Sequence, residues 1–190
     1  MEAEREVYDA VRDAVGSAVQ IFVDPNQAFT VEETLRRAPH YLDWGIEWLE
    51  EPIRGNDLKG FCAIRAACPG LPLQRGENDF GPKEIEVAIA SGASHYLMPD
   101  MMKIGGVTGW LKAADLCAAA SMPMSSHLYI EYSSHMLSLA MARHWLEWLD
   151  IAGPVLNAGR PVLEAGMVTP LDAPGAGLEW DEAAVATYAT

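Results

Sequence analysis

Long apolar runs and an excess of positive charge are both missing from this 190-residue chain. No apolar stretch approaches the roughly 18 residues that a membrane-spanning helix needs, and the opening MEAEREVYDAVRDAVG is charged where a secretory leader is apolar. A cytoplasmic location is the expectation. With 13 Lys and Arg against 27 Asp and Glu, the formal net charge is −14. That balance argues against nucleic-acid backbones and anionic membranes as partners, because both repel such a surface. Cysteine is scarce: Cys62, Cys68 and Cys117 are an odd number without C-x-x-C spacing, so neither a disulfide framework nor a zinc knuckle is implied. All three are expected to be small buried hydrophobes. Lysine is scarcer than usual too, with only Lys59, Lys83, Lys103 and Lys112, no two of them separated by one residue.

What the chain does have is 50% hydrophobic residues, enough for one sizeable core. Short β-rich runs alternate with amphipathic helical stretches. The strand candidates are VQIFVD (19–24), IEWLEE (46–51), LPLQRGE (71–77), SHYLMPD (94–100), MPMSSH (122–127) and HWLEWLD (144–150). Between them, VEETLRRAPHYLDWG and VTGWLKAADLCAAAS return apolar residues every three or four positions, as a helix with one buried face does. Strand alternating with helix predicts βα units on a parallel sheet. Residues 1–150 are therefore read as a partial (β/α) barrel. The Gly/Pro-rich residues 151–190 are read as a tail of loops and short extended segments packing on it.

Ionisable groups recur at or near the ends of these six runs: Asp24, Glu50, Glu77, Asp100, His127 and Glu147, spaced 20 to 27 residues apart. In a (β/α) barrel the carboxyl ends of the strands are where residues from different strands converge. Carboxylates about 4 Å apart repel by roughly 1 to 4 kcal/mol per pair, so Asp24, Glu50 and Glu77 in one pocket require a cation. An all-oxygen trio suits a hard ion such as Mg²⁺. The plainer alternative is that each acid caps the helix that follows it.

The runs VDPNQ, WLEEP, GENDFGPKE, MPDMMKIGGVTGW, MPMSSHLYIE and HWLEWLD, in that order, resemble the barrel domain of the enolase superfamily, and specifically its mandelate racemase subgroup. A weaker echo continues through APGAGLEW. The resemblance implies that Asp24, Glu50 and Glu77 hold Mg²⁺ and that His127 is the general base. It also implies that Asp100 orients His127 and that Glu147 donates a hydrogen bond to the enolate. The muconate-lactonizing subgroup carries a lysine where Asp100 stands, which favours the racemase subgroup. The superfamily pairs a Lys or His base with Mg²⁺, which suits removal of a weakly acidic proton next to a carboxylate. Imidazole titrates near neutrality, and a carboxylate on one ring nitrogen fixes its tautomer.

Glu147 has to be protonated to donate, and Trp145 and Trp148 are candidates for the apolar setting that favours this. Asn26, two residues past Asp24, is expected on the same strand face as a substrate contact. Lys103, before Gly105 and Gly106, is expected to be solvated. His40, His95, His135 and His144 are expected to be structural or surface residues.

The departures from the family are definite. No Lys-x-Lys strand and no N-terminal capping domain are found, and six strands fall short of a closed barrel's eight. The chain is therefore expected to be the later part of a longer enzyme, with the first two strands and the cap absent. The expected reaction is Mg²⁺-dependent abstraction of the proton alpha to a carboxylate, racemising a 2-hydroxy acid. Acid-sugar (aldonate or aldarate) dehydration, an inactive metal-binding fragment and a purely structural βα domain are the alternatives. A small carboxylate is the expected ligand, and the intact enzyme is expected to be a homo-oligomer.

Overall fold

The computed structural model describes residues 1–189. Helix and strand alternate through α1 (Glu2–Val15), α2 (Val31–Trp44), β1 (Leu49–Glu50), α3 (Leu58–Ala67), β2 (Leu73–Arg75) and α4 (Gly81–Ser91). The alternation continues through β3 (Tyr96–Leu97), α5 (Gly106–Ala119), β4 (Met124–Ser126), α6 (Ile130–Leu139) and β5 (Arg143–Leu146). β1 neighbours β2, and β3, β4 and β5 neighbour one another in chain order. Among the described residues no helix is long and apolar enough to cross a membrane.

The backbone forms two compact units, the first Met1–Arg75 with Ala90–Tyr96, the second Gly76–Ile89 with the chain from Leu97 onward. In the first unit β1 pairs in parallel with β2, Leu49 opposite Leu73 and Glu50 opposite Gln74. Next to β3, the His95 N–H donates to the Leu73 carbonyl at 2.8 Å. Leu49 and Leu73 belong to a core with Phe61 and Ile64 of α3 and Ala38, Tyr41 and Trp44 of α2. Each such aliphatic or aromatic side chain contributes about 1.5 to 3 kcal/mol on burial. Helix α2 has the ends its sequence predicts. Thr30 accepts from the Glu33 N–H, and Gly45 closes the helix in the left-handed region at φ 67°.

In the second unit Leu97 of β3 pairs with Met124 of β4, and β4 pairs with β5 through Met124 to Arg143 and Ser126 to Leu146. An isolated parallel bridge joins Asp100 to His127, just past the ends of β3 and β4. The tail adds a 3-10 turn (Gly153–Val155) and antiparallel pairs formed by β6 (Leu156–Ala158) with β9 (Glu179–Trp180) and by β7 (Val162–Glu164) with β8 (Met167–Thr169). It ends in helix α7 (Glu182–Tyr188), which the Gly/Pro composition did not predict. Asp181 caps α7 by accepting from the Ala183 and Ala184 N–H groups.

Two expectations need correction here. Residues 19–24 do not form a full strand: only Val23 is bridged, to Leu49. The backbone bonds of this segment run to residues 47, 48 and 50, and the turn beginning at Pro25 ends it. Its β-branched composition is satisfied by a short contact at the border of the pairing. The cysteines are not all buried either. Cys117 is, whereas Cys62 and Cys68 are half-buried, with the Cys62 Sγ at 3.3 Å from the Ser91 carbonyl.

Candidate active site

The second unit gathers three of the six strand-end groups, Glu77, Asp100 and Glu147, around a fourth, the His127 imidazole. His127 follows β4 directly, and its Nδ1 lies 2.7 Å from Asp100 Oδ2. The other Asp100 oxygen accepts the backbone N–H of Met102 at 2.8 Å and of Lys103 at 3.0 Å, so the carboxylate is held from both sides. Burial alone raises the Asp100 pKa. The bond from His127 and the two backbone donors outweigh it and hold the carboxyl below its usual range. On the far side of the ring, Nε2 lies 3.2 Å from Glu77 Oε2. Burial opposes the charged imidazolium. The bond to Asp100 and the negative charges of Glu77, Glu147 and Asp100 more than offset it, so the His127 pKa is raised. With Nδ1–H directed at Asp100, Nε2 is the nitrogen that takes up and releases a proton.

The supporting contacts are equally specific. Glu77 Oε1 accepts from Asn78 Nδ2 at 2.9 Å, and Asn78 Oδ1 accepts from Lys103 Nζ at 2.9 Å. Lys103 is thus half-buried and engaged, contrary to the solvated lysine expected. A flexible stem lets its ammonium reach inward while the backbone turns at Gly105 and Gly106, both at positive φ. Glu147 Oε2 accepts from the Leu128 N–H at 2.9 Å. Leu128 and Tyr129 lie in the left-handed region at φ 51° and 48°, a conformation that costs of the order of 1 to 3 kcal/mol per residue and recurs at functional sites. Trp145 and Trp148 are 40% and 37% exposed.

In the first unit Asp24 and Glu50 end neighbouring segments. Val23 is bridged to Leu49, so the two acids follow at the same level, and the Glu50 N–H donates to the Val23 carbonyl at 2.8 Å. Glu50 is 8% exposed, and Trp48 Nε1 donates to its Oε2 at 3.2 Å. Asp24 Oδ1 accepts from the Asn26 N–H at 2.6 Å. Asn26 itself is in a left-handed turn at φ 48°, so it does not continue strand alternation as expected. The turn at Pro25 supersedes the period-two rule.

Among the described residues no group of three or more His, Cys, Asp or Glu side chains is arranged to hold a metal ion. The donors of the first unit nevertheless fit a hard cation. Mg²⁺ is commonly held by one or two carboxylates plus waters, and Asp24 and Glu50 supply two at one level of the sheet. Glu77 has its carboxylate on His127 and Asn78. The side-chain caps of α2, α3 and α7 are Thr30, Asp57 and Asp181, none of which belongs to the strand-end series.

Sequence reasoning missed Asn78 and Gln74. Asn78 was readable, as the residue directly after Glu77 in the run GEN. Gln74 was not, because its importance depends on what faces it across β1 and β2. It is fully buried, and neither amide atom has a hydrogen-bond partner, a state that costs of the order of 1 to 3 kcal/mol per unmet group.

Comparison with known proteins places this geometry in a family. The chain is 30% identical over 148 residues to the L-talarate/galactarate dehydratase of Salmonella typhimurium, covering 78% of this chain and 37% of that protein. It is 26% identical over 204 residues to the D-galactarolactone cycloisomerase of Agrobacterium fabrum, covering 99% of this chain and 54% of the other. The crystal structure of an enolase from Bradyrhizobium, complexed with magnesium and mandelic acid, superposes with a TM-score of 0.88 at 39% identity, covering 95% of this chain and 49% of that one. The chain thus spans about half the length of several proteins it matches, and 37% of the dehydratase. The relatives are dehydratases, epimerases and cycloisomerases, and several structural neighbours contain magnesium. Residues 1–184 match the family model described as enolase C-terminal domain-like, and the chain belongs to that family of the enolase superfamily.

Proposed function

We propose that this chain carries the proton-abstraction machinery of an enzyme acting on the carbon alpha to a carboxylate, with racemisation of a 2-hydroxy acid as its reaction. The observation that supports this most directly is His127, held at Nδ1 by Asp100 and facing Glu77 at Nε2. His127 takes the alpha proton at Nε2, and Asp100 holds the ring in the tautomer that leaves this nitrogen basic. Glu147, one oxygen of which accepts the Leu128 N–H, is the candidate donor of a hydrogen bond to the enediolate. Asp24 and Glu50 hold Mg²⁺, with Glu77 the third ligand on the sequence resemblance. The bound ion supplies Lewis-acid stabilisation of the negative charge that develops on the substrate carboxylate. Asn26 is the candidate substrate contact.

Dehydration of an acid sugar is the second reading, favoured by the similarity to the Salmonella typhimurium talarate/galactarate dehydratase. In that case His127 moves a proton while a β-hydroxyl leaves as water.

The test is proton NMR in D₂O with Mg²⁺, following the alpha proton of a panel of 2-hydroxy acids and acid sugars. Loss of an alpha-proton signal, abolished by a chelator and by His127→Asn, is the expected result, and the products separate racemisation from dehydration. Exchange retained in His127→Asn would remove this residue from the role of base. Glu50→Gln is expected to weaken Mg²⁺ binding severely, while His127→Asn leaves it intact.

A further inference from the structure

Gln74 is a buried amide that no described residue meets. It is 0% exposed, and both Oε1 and Nε2 lack hydrogen-bond partners. Its position is set by register. Leu49 and Leu73 are partners and both lie in the core against α2 and α3, so their successors Glu50 and Gln74, also partners, face the opposite side of the sheet. Parallel neighbours stand about 4.8 Å apart, close enough for their side chains to share a small ligand. Asp24 follows Val23, the residue bridged to Leu49, so it stands at the level of Glu50. Trp48, two residues before Glu50 and on the same face, donates to Glu50 Oε2. This side of the first unit therefore places a neutral, unpartnered amide beside Glu50, with Asp24 on the other flank of β1, and it carries the ring contacts of Phe22 with Trp48 and of Trp48 with Tyr96.

We propose that Gln74 belongs to the hydration shell of the cation held at Asp24 and Glu50, its Oε1 accepting a hydrogen bond from a metal-coordinated water. The inference rests on the metal reading given under Proposed function. Its chemistry follows from the ion: Mg²⁺ sheds water reluctantly and keeps several coordinated waters, each made a strong donor by the metal charge. A further carboxylate at position 74 adds a third negative charge at this level, and an aliphatic residue leaves the water unmet. An amide accepts the bond without charge. Outer groups of this kind typically change metal affinity by about 10 to 100-fold.

The experiment compares wild type, Gln74→Met and Glu50→Gln as the full chain, measuring Mg²⁺ affinity by isothermal titration calorimetry and thermal unfolding with Mg²⁺ and with EDTA. Gln74→Met keeps the length and removes both unmet atoms. Its midpoint in EDTA is expected to equal or exceed wild type, while its Mg²⁺ affinity falls by about tenfold or more. That opposition separates a ligand-facing role from a merely structural one, which moves both readouts together. Wild-type affinity in Gln74→Met, with binding severely weakened in Glu50→Gln, would overturn the role of Gln74 and leave the metal reading standing. Absence of Mg²⁺ binding in wild type would overturn both. Should Gln74→Met fail to fold, Gln74→Asn retains the amide but withdraws it by one methylene. A folded Asn variant with unchanged affinity also overturns the proposal.

Discussion

Replacing Asp100 by Asn tests the catalytic geometry with a change of few atoms. The Asn side chain keeps an oxygen for the Met102 and Lys103 N–H groups, which the Asp accepts at 2.8 and 3.0 Å. Its amide N–H₂ is then turned toward His127 Nδ1, which sits 2.7 Å from the carboxylate in the native protein. Two donors cannot face each other at that distance. The imidazole has to adopt the other neutral tautomer, with the proton on Nε2, and the nitrogen proposed to accept the substrate proton is then blocked. A carboxylate-to-amide change in the same role in a Ser-His-Asp triad lowers turnover by about 10⁴. The expected loss of alpha-proton exchange here is therefore about 10³ to 10⁴-fold, well beyond the roughly 10²-fold floor for losing a general base. Loss of the charge-assisted bond at a site 3% exposed should cost stability as well, about 1.5 to 3 kcal/mol. Exchange is read by NMR in D₂O, the tautomer by ¹⁵N shifts of the ring, and stability by urea unfolding. Exchange within tenfold of wild type, or a ring that keeps its proton on Nδ1, would refute the reasoning.

Three further outcomes are expected. The His95 Nδ1 accepts the Leu73 N–H at 3.0 Å, and burial, aided by Arg65, holds its pKa below the usual value. The unfolded chain then binds a proton near pH 6.5 that the folded one refuses, so stability is full above that pH and declines as pH falls toward the folded pKa. His127, whose pKa is raised, acts in the opposite sense over this range, so the urea midpoint should be less penalised on going from pH 7.5 to 5.5 in His95→Gln than in wild type, and an equal slope in both would exclude His95 as a source. Burial pushes the Cys117 thiol up to about 12. A thiol reagent at pH 8 should thus modify Cys62 and Cys68 in the native protein and Cys117 only after denaturation, whereas three rapid equivalents would contradict the structure. Gly76 sits at φ 124°, and a Cβ there meets the Met98 backbone nitrogen at 3.0 Å. Gly76→Ala should therefore lose about 1 to 3 kcal/mol by urea unfolding, and an unchanged midpoint would show that this backbone is not constrained.

Much of the site was legible because its signals are local. An ionisable group at or near the end of each β-rich run can be counted along the chain, and Asp100, His127, Glu77 and Glu147 stand out in this way. Strand extent was less legible. The run 19–24 has the same β-branched composition as the runs that form strands, yet only Val23 is bridged. Composition reports what a residue prefers and does not report how many neighbours its backbone will find. Lys103 and Asn78 meet across 25 positions, and Gln74 matters only through its register with Glu50. Neither relation has a period that a sequence pattern can carry.

The three carboxylates around His127 show why residue type alone could not assign their roles. All three raise the basicity of one imidazole by charge, so in that respect they are interchangeable. They differ in what else they accept. Asp100 is committed to two backbone N–H groups and the ring, which makes it immobile and suits it to orient. Glu77 shares one oxygen with Asn78, itself held by Lys103, and turns the other to Nε2, so a side-chain relay connects Lys103 to the ring. Glu147 gives one oxygen to Leu128, which sits in a strained turn directly after His127. Hydrogen-bond partners thus separate the three acids into distinct positions, and a change at Lys103 should reach His127 through Asn78 and Glu77 while leaving the bond to Asp100 in place.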